Sequence, residues 1–262
     1  MTEQNLRLLR LVGFAIAMAV ALAWQKLSPH GRTPGSTRVN GGLWLVNIAV
    51  TGTICGACVC SAARWAKEID FGLLNWLATP AGVTFPIAVL FLDLVSYGWH
   101  RANHALPFLW RWHQVHHSDP AFSVSTALRF HPGELLLSLP VRLAAVVLLG
   151  APAAAVVLFE VTFTLANAIE HGDIDLPRRL EDVMTRVLVT PALHRWHHTT
   201  AVPDRDSNFG TIFSIWDKLL GTYTPNDSRT IVRTGLPGLP GVTLGSALLL
   251  PLQRAVRFRG CI

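Results

Sequence analysis

Asp93-Leu-Val-Ser-Tyr97-Gly-Trp-His100-Arg-Ala-Asn-His104, followed closely by Leu109-Trp110-Arg-Trp-His113-Gln-Val-His116-His117-Ser118, governs how the rest of this chain is read. An uncharged run ends here in two histidine clusters. Positions i, i+3 and i+4 share one helix face, with Cβ atoms roughly 5–6 Å apart. His100 and His104 are thus spaced to hold one ion. The neighbours His116 and His117 can point at two adjacent ions, with His113 on the same face. A third box, His194-Arg-Trp-His197-His198, repeats the second. A lone HxxxH is weak, because a single histidine is more often a hydrogen-bonded core residue. Here ten of the 11 histidines fall between residues 100 and 198, eight of them in these boxes beside apolar segments. That density predicts a metal centre.

The surrounding sequence predicts a membrane protein. Hydrophobic residues make up 51% and charged residues 15% of the 262 positions, with a mean hydropathy of +0.39. Globular chains carry roughly 25% charged residues, so this composition calls for a solvent that accepts apolar side chains. The net charge of +6 lies in arginines at the ends of apolar runs. This pattern fits membrane flanks and argues against nucleic acid. Leu11–Gln25 reads as a first span between Arg10 and Lys26, with a cleaved signal peptide as the rival reading. Leu43–Ala63 is the cleanest uncharged run. Phe71–Leu92 is broken by Pro80, Gly82 and Pro86, and predicts an interfacial stretch followed by a span over about Val83–Tyr97. Leu135–Ile169 would reach about 50 Å as one helix, too long for one crossing. Gly150-Ala151-Pro152 near its middle predicts a helical hairpin. Gly235–Leu252, broken by Pro237, Pro240 and Pro251, predicts an interfacial or buried segment. Cys55, Cys58 and Cys60 lie in the apolar run and read as inert helix residues, with Cys261 at the tail.

Imidazole alone does not choose the metal. A structural zinc site uses four ligands, often cysteines. Eight or more histidines with no cysteine beside them suit two ions with four or more ligands each, which points to redox iron. The boxes, together with Arg129-Phe-His131-Pro132, Asp206-Ser-Asn208-Phe-Gly210 and Trp216-Asp217-Lys-Leu-Leu-Gly221-Thr-Tyr223, resemble the fatty acid hydroxylase superfamily, which includes the sterol desaturases. The resemblance covers about residues 85–225. It implies an all-α integral membrane bundle, here of about four to five spans including the hairpin, under a cytosolic histidine-rich cap. It also implies two iron ions as cofactor, O2 as co-substrate, and hydroxylation or desaturation of a lipid C–H bond. Matched to the family's boxes, His100, His104, His113, His116, His117, His194, His197 and His198 would be iron ligands, and His171 matches a further family histidine. Asp173 stands where the family often has Asn. The organisation expected is N-terminal spans and linkers over 1–82, a di-iron domain over 83–225, and a tail over 226–262.

Supporting roles follow from spacing. Asp93, Tyr97 and His100 share one helix face. Asp93 is expected either to accept the free N–H of a ligand histidine or to pair with an arginine between helices. Asn167 stands four residues before His171, as a water-mediated ligand or an interhelical hydrogen bond. His131 is a ligand or a structural residue. Trp99, Trp110, Trp112 and Trp196 are expected at the membrane interface or lining a lipid channel. No dinucleotide fingerprint, haem-attachment motif or cluster of four cysteines is present in the sequence. Electrons are therefore expected from a separate ferredoxin or cytochrome b5-type protein with its reductase. Arg101, Arg111, Arg129, Arg178, Arg179, Arg186 and Arg195 offer a basic cap surface for an acidic carrier or anionic lipid. The alternatives to a lipid hydroxylase are a desaturase on the same scaffold and a non-enzymatic metal-binding membrane protein. The chain is expected to be multi-pass, in a bacterial inner membrane or the endoplasmic reticulum, with its metal site facing the cytoplasm.

Overall fold

The computed structural model describes residues 2–31, 36–51, 55–225, 230, 232–239 and 241–253, and it is helical throughout, with three isolated bridges and no strand among these residues. The elements run α1 (Glu3–Leu27), α2 (Thr37–Thr51), α3 (Cys55–Glu68), the single turn α4 (Leu73–Trp76), α5 (Ala81–Ala105) and α6 (Pro107–His117). A 3-10 turn (Val124–Leu128) precedes α7 (Pro132–Leu149) and α8 (Ala153–Glu170). Short helices α9 (Arg178–Met184), α10 (Pro191–His197), α11 (Val202–Arg205), α12 (Ile215–Leu219) and α13 (Leu244–Leu249) follow.

Four of these, α1, α5, α7 and α8, are long and apolar enough to cross a membrane, and only 17–33% of each apolar window is buried within the protein. The remainder, including Ile16, Leu90, Leu148 and Leu158, faces outward. A protein in water seldom exposes so large a continuous apolar surface. Helix ends obey ordinary capping rules. The Thr2 side chain accepts from Asn5 N, Glu3 lies in the first turn of α1 and Lys26 in the last, each charge favourably placed on the helix dipole.

The hairpin forms at the expected place. Gly150 takes the left-handed conformation (φ 71°, ψ 35°) and its N–H reaches Val146 O and Val147 O, closing α7, and Pro152 caps α8. Only glycine fits, since a Cβ at Gly150 would lie 2.9 Å from Asn75 Nδ2, and one at Gly72 (φ 104°) would lie 2.5 Å from Gly150 Cα. The backbone of the α3–α4 linker thus presses directly on the hairpin turn. The α1 and α8 helices run parallel. Leu6, Cys60 and Val157 meet near one end, and Ala21, Val124 and Ala168 near the other.

Two expected spans differ from the structure. The run Leu43–Ala63 belongs to two helices, α2 and α3, of 15 and 14 residues, each too short to cross alone; residues 52–54 between them lie outside the described residues. Asn40, near the start of α2, bonds Asp119 at the histidine end of the bundle, whereas the chain beyond α3 meets the hairpin turn at the other end. The pair therefore carries the chain from one end to the other. The span expected over Val83–Tyr97 is α5, which runs two turns further, to Ala105, so the first histidine box sits on the spanning helix itself. The tail segment is a strap that buries a few residues against α2 and α6. Ala247 and Leu250 pack on Leu43 and Val115, and Arg111 Nε donates to Pro251 O at 2.9 Å.

Candidate metal centre

Nine histidines converge where α5, α6, α8 and α10 end. His100 and His104 come from the last turns of α5, His113, His116 and His117 from α6, and His171 caps α8. His194 and His197 come from α10, which His198 caps. They form two groups, His100, His104, His113, His117 and His197 in one, His116, His171, His194 and His198 in the other. Within each group one nitrogen per ring lies within 4.8 Å of every other. Adjacent residues on a helix point about 100° apart, so His116 and His117 enter different groups, as do His197 and His198. The two groups are thereby tied side by side.

The second nitrogen of most rings is fixed by an oxygen. Nδ1 of His100 lies 2.8 Å from Phe209 O, that of His113 2.8 Å from Glu134 Oε1, and that of His116 3.2 Å from Arg129 O. His171 uses Asn167 O (2.7 Å), His197 uses Ser207 O (2.7 Å) and His104 uses Asp206 Oδ1 (3.1 Å). Each of these oxygens can only accept, so Nδ1 carries the proton and Nε2 keeps its lone pair. The Nε2 atoms then face one another: His104–His117 at 3.1 Å, His116–His171 at 3.0 Å, His171–His194 at 3.0 Å and His194–His198 at 3.2 Å. Nε2 of His100, His113 and His197 is buried with no hydrogen-bond partner. Such a convergence of buried lone pairs is costly unless a cation takes them, and neutral imidazoles are good ligands for iron. Burial also favours the neutral form of His171 and His197, pushing them down to about 4 and about 3.

The other expected site residues lie elsewhere. Asp93 touches no histidine; its carboxylate accepts from Ile212 N, Phe213 N and Trp216 Nε1 (2.8 Å). It is neither a histidine partner nor an interhelical ion pair. It anchors the segment that carries Phe209. Asn167 contributes its backbone oxygen to His171, while its side chain donates to Ala127 O at 3.2 Å. His131 joins neither group. Its Nδ1 accepts from Gly133 N, capping α7, and its Nε2 bonds Leu248 O in the strap. Asp173 accepts from Gly31 N and holds the loop after α1. Of the seven expected surface arginines, Arg129 and Arg195 are buried and bonded inside the cap, so they offer no docking surface. Arg101, Arg178, Arg179 and Arg186 remain exposed. Among the tryptophans, Trp99 lines the cavity described below, Arg205 lies over the Trp110 ring, and Trp112 meets His131 with the rings tilted by 55°.

Several positioning residues escaped sequence reasoning. Glu134 holds both His113 and Asn103, and Glu170 is wholly buried, 3.7 Å from Nδ1 of both His171 and His194. The available signal was position, since the two carboxylates flank the Leu135–Ile169 run, one beside the His131-Pro132 pair and the other beside His171. Asp217 receives Phe209 N and Gly210 N, fixing the loop that feeds His100, and Thr222 links it to Tyr97. Ser207 and Phe209 act through carbonyl oxygens, which side-chain identity does not reveal.

Beneath the histidines a cavity of about 590 Å³ runs between α1, α2, α5, α7 and α8. Its wall is mainly apolar, with Leu11, Phe14, Trp44, Val95 and Phe163, and it reaches His100, His113, His116, His171 and His194.

The family model described as fatty acid hydroxylase matches residues 85–222. Among curated relatives, ornithine lipid hydroxylase OlsE of Rhizobium tropici is 28% identical over 180 residues, which cover 68% of this chain and 53% of the relative. Alkylglycerol monooxygenase of Danio rerio is 30% identical over 154 residues (56% and 32%). Cholesterol 25-hydroxylase of Rattus norvegicus is 29% identical over 153 residues (55% and 48%). The chain spans about half or less of the length of these relatives. No solved structure matches it.

Proposed function

Because the chain belongs to the fatty acid hydroxylase family, we propose that its two histidine groups hold two iron ions and that the protein hydroxylates a lipid-like substrate with O2 and external electrons. The observation that carries this reading is one arrangement: nine imidazoles in a five-plus-four set, five of them on the wall of a mainly apolar cavity inside a membrane bundle. The three relatives named above are hydroxylases or a monooxygenase of lipid-class compounds by their names.

When bound, the iron pair would supply the oxidising power for an unactivated C–H bond. The chain supplies the rest. Leu11, Phe14, Trp44 and Phe163 accept an acyl or ring hydrocarbon and exclude water. The backbone oxygens of Asn167, Ser207 and Phe209 fix three ring tautomers, so the donor atoms are set before any ligand arrives. The exposed arginines Arg101, Arg178, Arg179 and Arg186 lie on the histidine side, where an acidic electron carrier would dock. That side is placed in the cytoplasm because reduced carriers are there.

Iron analysis of protein purified in detergent from iron-replete cells should give two Fe per chain, matching the two groups. His116→Ala and His197→Ala remove one ligand from each group and should abolish the alcohol product while the protein stays in the membrane. Retained turnover in either variant, or a single iron in the parent, refutes the assignment. An alkene in place of the alcohol would make the enzyme a desaturase.

A further inference from the structure

The cavity contains a second polar element, far from the histidines and within the spanning helices. Arg10 of α1, Arg142 of α7 and Glu160 of α8 all line it. One oxygen of Glu160 lies 2.6 Å from Arg10 Nε, and the other 2.8 Å from Arg142 Nη2. Two guanidiniums share one carboxylate, so the triad carries one net positive charge. The other carboxylates on this wall are committed elsewhere, Glu134 to His113 and Asn103, and Glu170 beside His171 and His194.

Helix packing alone gives no reason for these charges. Apolar residues of similar volume commonly tie helices as well as a buried ion pair or better, and ionisable groups inside spans are costly and usually functional. Arg142 is also accessible, its side chain 42% exposed. A guanidinium presents five donors in a planar fork that matches a carboxylate or phosphate. The triad is therefore a ready acceptor for one more negative charge, on the wall of a mainly apolar cavity.

Its distance from the histidines follows from the helices. Arg142 stands eight residues beyond Glu134 on α7, and Glu160 eleven residues before His171. At ~1.5 Å per residue these separations are about 12 and 16 Å.

We propose that the Arg10–Glu160–Arg142 triad docks the anionic group of the substrate, a long-chain lipid bearing a carboxylate or phosphate. Its hydrocarbon chain then lies along the cavity toward the histidines. An extended chain advances about 1.2 Å per bond, so the carbon presented there is roughly ten to thirteen bonds from the charge. What happens at that carbon rests on the oxygenase reading; the docking itself does not. Glu160 has the opposing role, cancelling one guanidinium so that a single negative charge is matched.

Binding can be read without turnover. Trp44 and Trp99 line the cavity, so the quenching of tryptophan fluorescence by 9,10-dibromostearate reports occupancy in the full chain, with or without iron. The acid should bind about tenfold tighter than its methyl ester, as expected for a charge-assisted hydrogen bond. Hexadecyl phosphate should displace it and hexadecanol should not. Arg142→Gln leaves the Arg10–Glu160 pair intact and should abolish the preference for acid over ester, whereas Arg142→Lys keeps part of it. Glu160→Gln raises the charge and should strengthen the preference. A purely structural triad predicts instead that Glu160→Gln weakens acid and ester alike. Equal affinity of the parent for acid and ester, an undiminished preference in Arg142→Gln, or a weakened one in folded Glu160→Gln overturns the proposal.

Discussion

Glu134 gives the sharpest test of how the histidines are held, because it touches only one of the two groups. Its Oε1 receives His113 Nδ1 at 2.8 Å and Asn103 Nδ2 at 3.2 Å. Glu134→Gln leaves an amide oxygen in place but removes the charge. A hydrogen bond to a charged group contributes about 1.5–3 kcal/mol, a neutral one about 0.5–1.5. The difference, about 1–1.5 kcal/mol, corresponds to about a tenfold weaker grip on the ion held by His113. Glu134→Ala should cost more, about 10–100-fold, since the ring loses its orienting partner altogether. Iron content measured after equilibration with graded chelator should show one ion leaving at about tenfold lower chelator in Glu134→Gln, with the other retained. Loss of both ions together, or retention like the parent's in both variants, would refute the view that Glu134 orients a ligand of one group alone.

His131→Ala should keep both irons and lower stability by about 2 kcal/mol, the sum of a lost helix cap and one hydrogen bond; loss of iron in a folded variant would make it a ligand. Burial lowers His171 to about 4 and His197 to about 3, against about 6.5 in the unfolded chain. The unfolded state then binds more protons below about pH 6.5, so stability is full above that value and declines as pH falls toward the folded pKa values. Iron-depleted protein should accordingly melt at lower temperature at pH 5 than at pH 7.5, and equal melting at both would count against neutral buried rings. A cysteine at Ser36 should be protected from an impermeant thiol reagent in intact cells and one at Thr2 should react; the reverse pattern inverts the proposed orientation.

The fold and the metal centre were legible to different depths for physical reasons. The hairpin could be read because a run of 35 residues carrying only Arg142 and Glu160 as charges exceeds one crossing and Gly150 supplies the left-handed turn. The histidine groups could be read because helical spacing converts sequence distance into a shared face. What spacing does not encode is which backbone oxygen meets which ring. The carbonyls of Ser207, Phe209 and Arg129 are supplied by loops whose paths depend on distant anchors, among them Asp93 and Asp217. Asp93 shares a helix face with His100, yet its side chain turns to Trp216. Same-face logic gives proximity along one helix but is blind to a segment arriving from 120 residues away. The division of Leu43–Ala63 between α2 and α3 was hidden for a related reason, since composition reports length of apolar run and not continuity of helix.

The donor set of both groups is entirely histidine, so two divalent ions would bring four positive charges into a buried site with no carboxylate among its donors. The carboxylates are present but set back by one bond of the network. Glu134 stands behind His113, Asp206 behind His104, and Glu170 lies 3.7 Å from both His171 and His194. Glu134 and Glu170 are buried to 4% and 1% exposure, and one oxygen of each has no hydrogen-bond partner. A buried carboxylate without a nearby cation costs several kcal/mol, more than packing returns for residues that apolar side chains could replace. Their position is intelligible if each offsets metal charge from outside the donor set, Glu134 by raising the basicity of His113 and Glu170 by proximity alone, while the ion's own coordination stays open for substrate chemistry. Two buried carboxylates that look unfavourable as isolated side chains thus offset part of the charge of the centre.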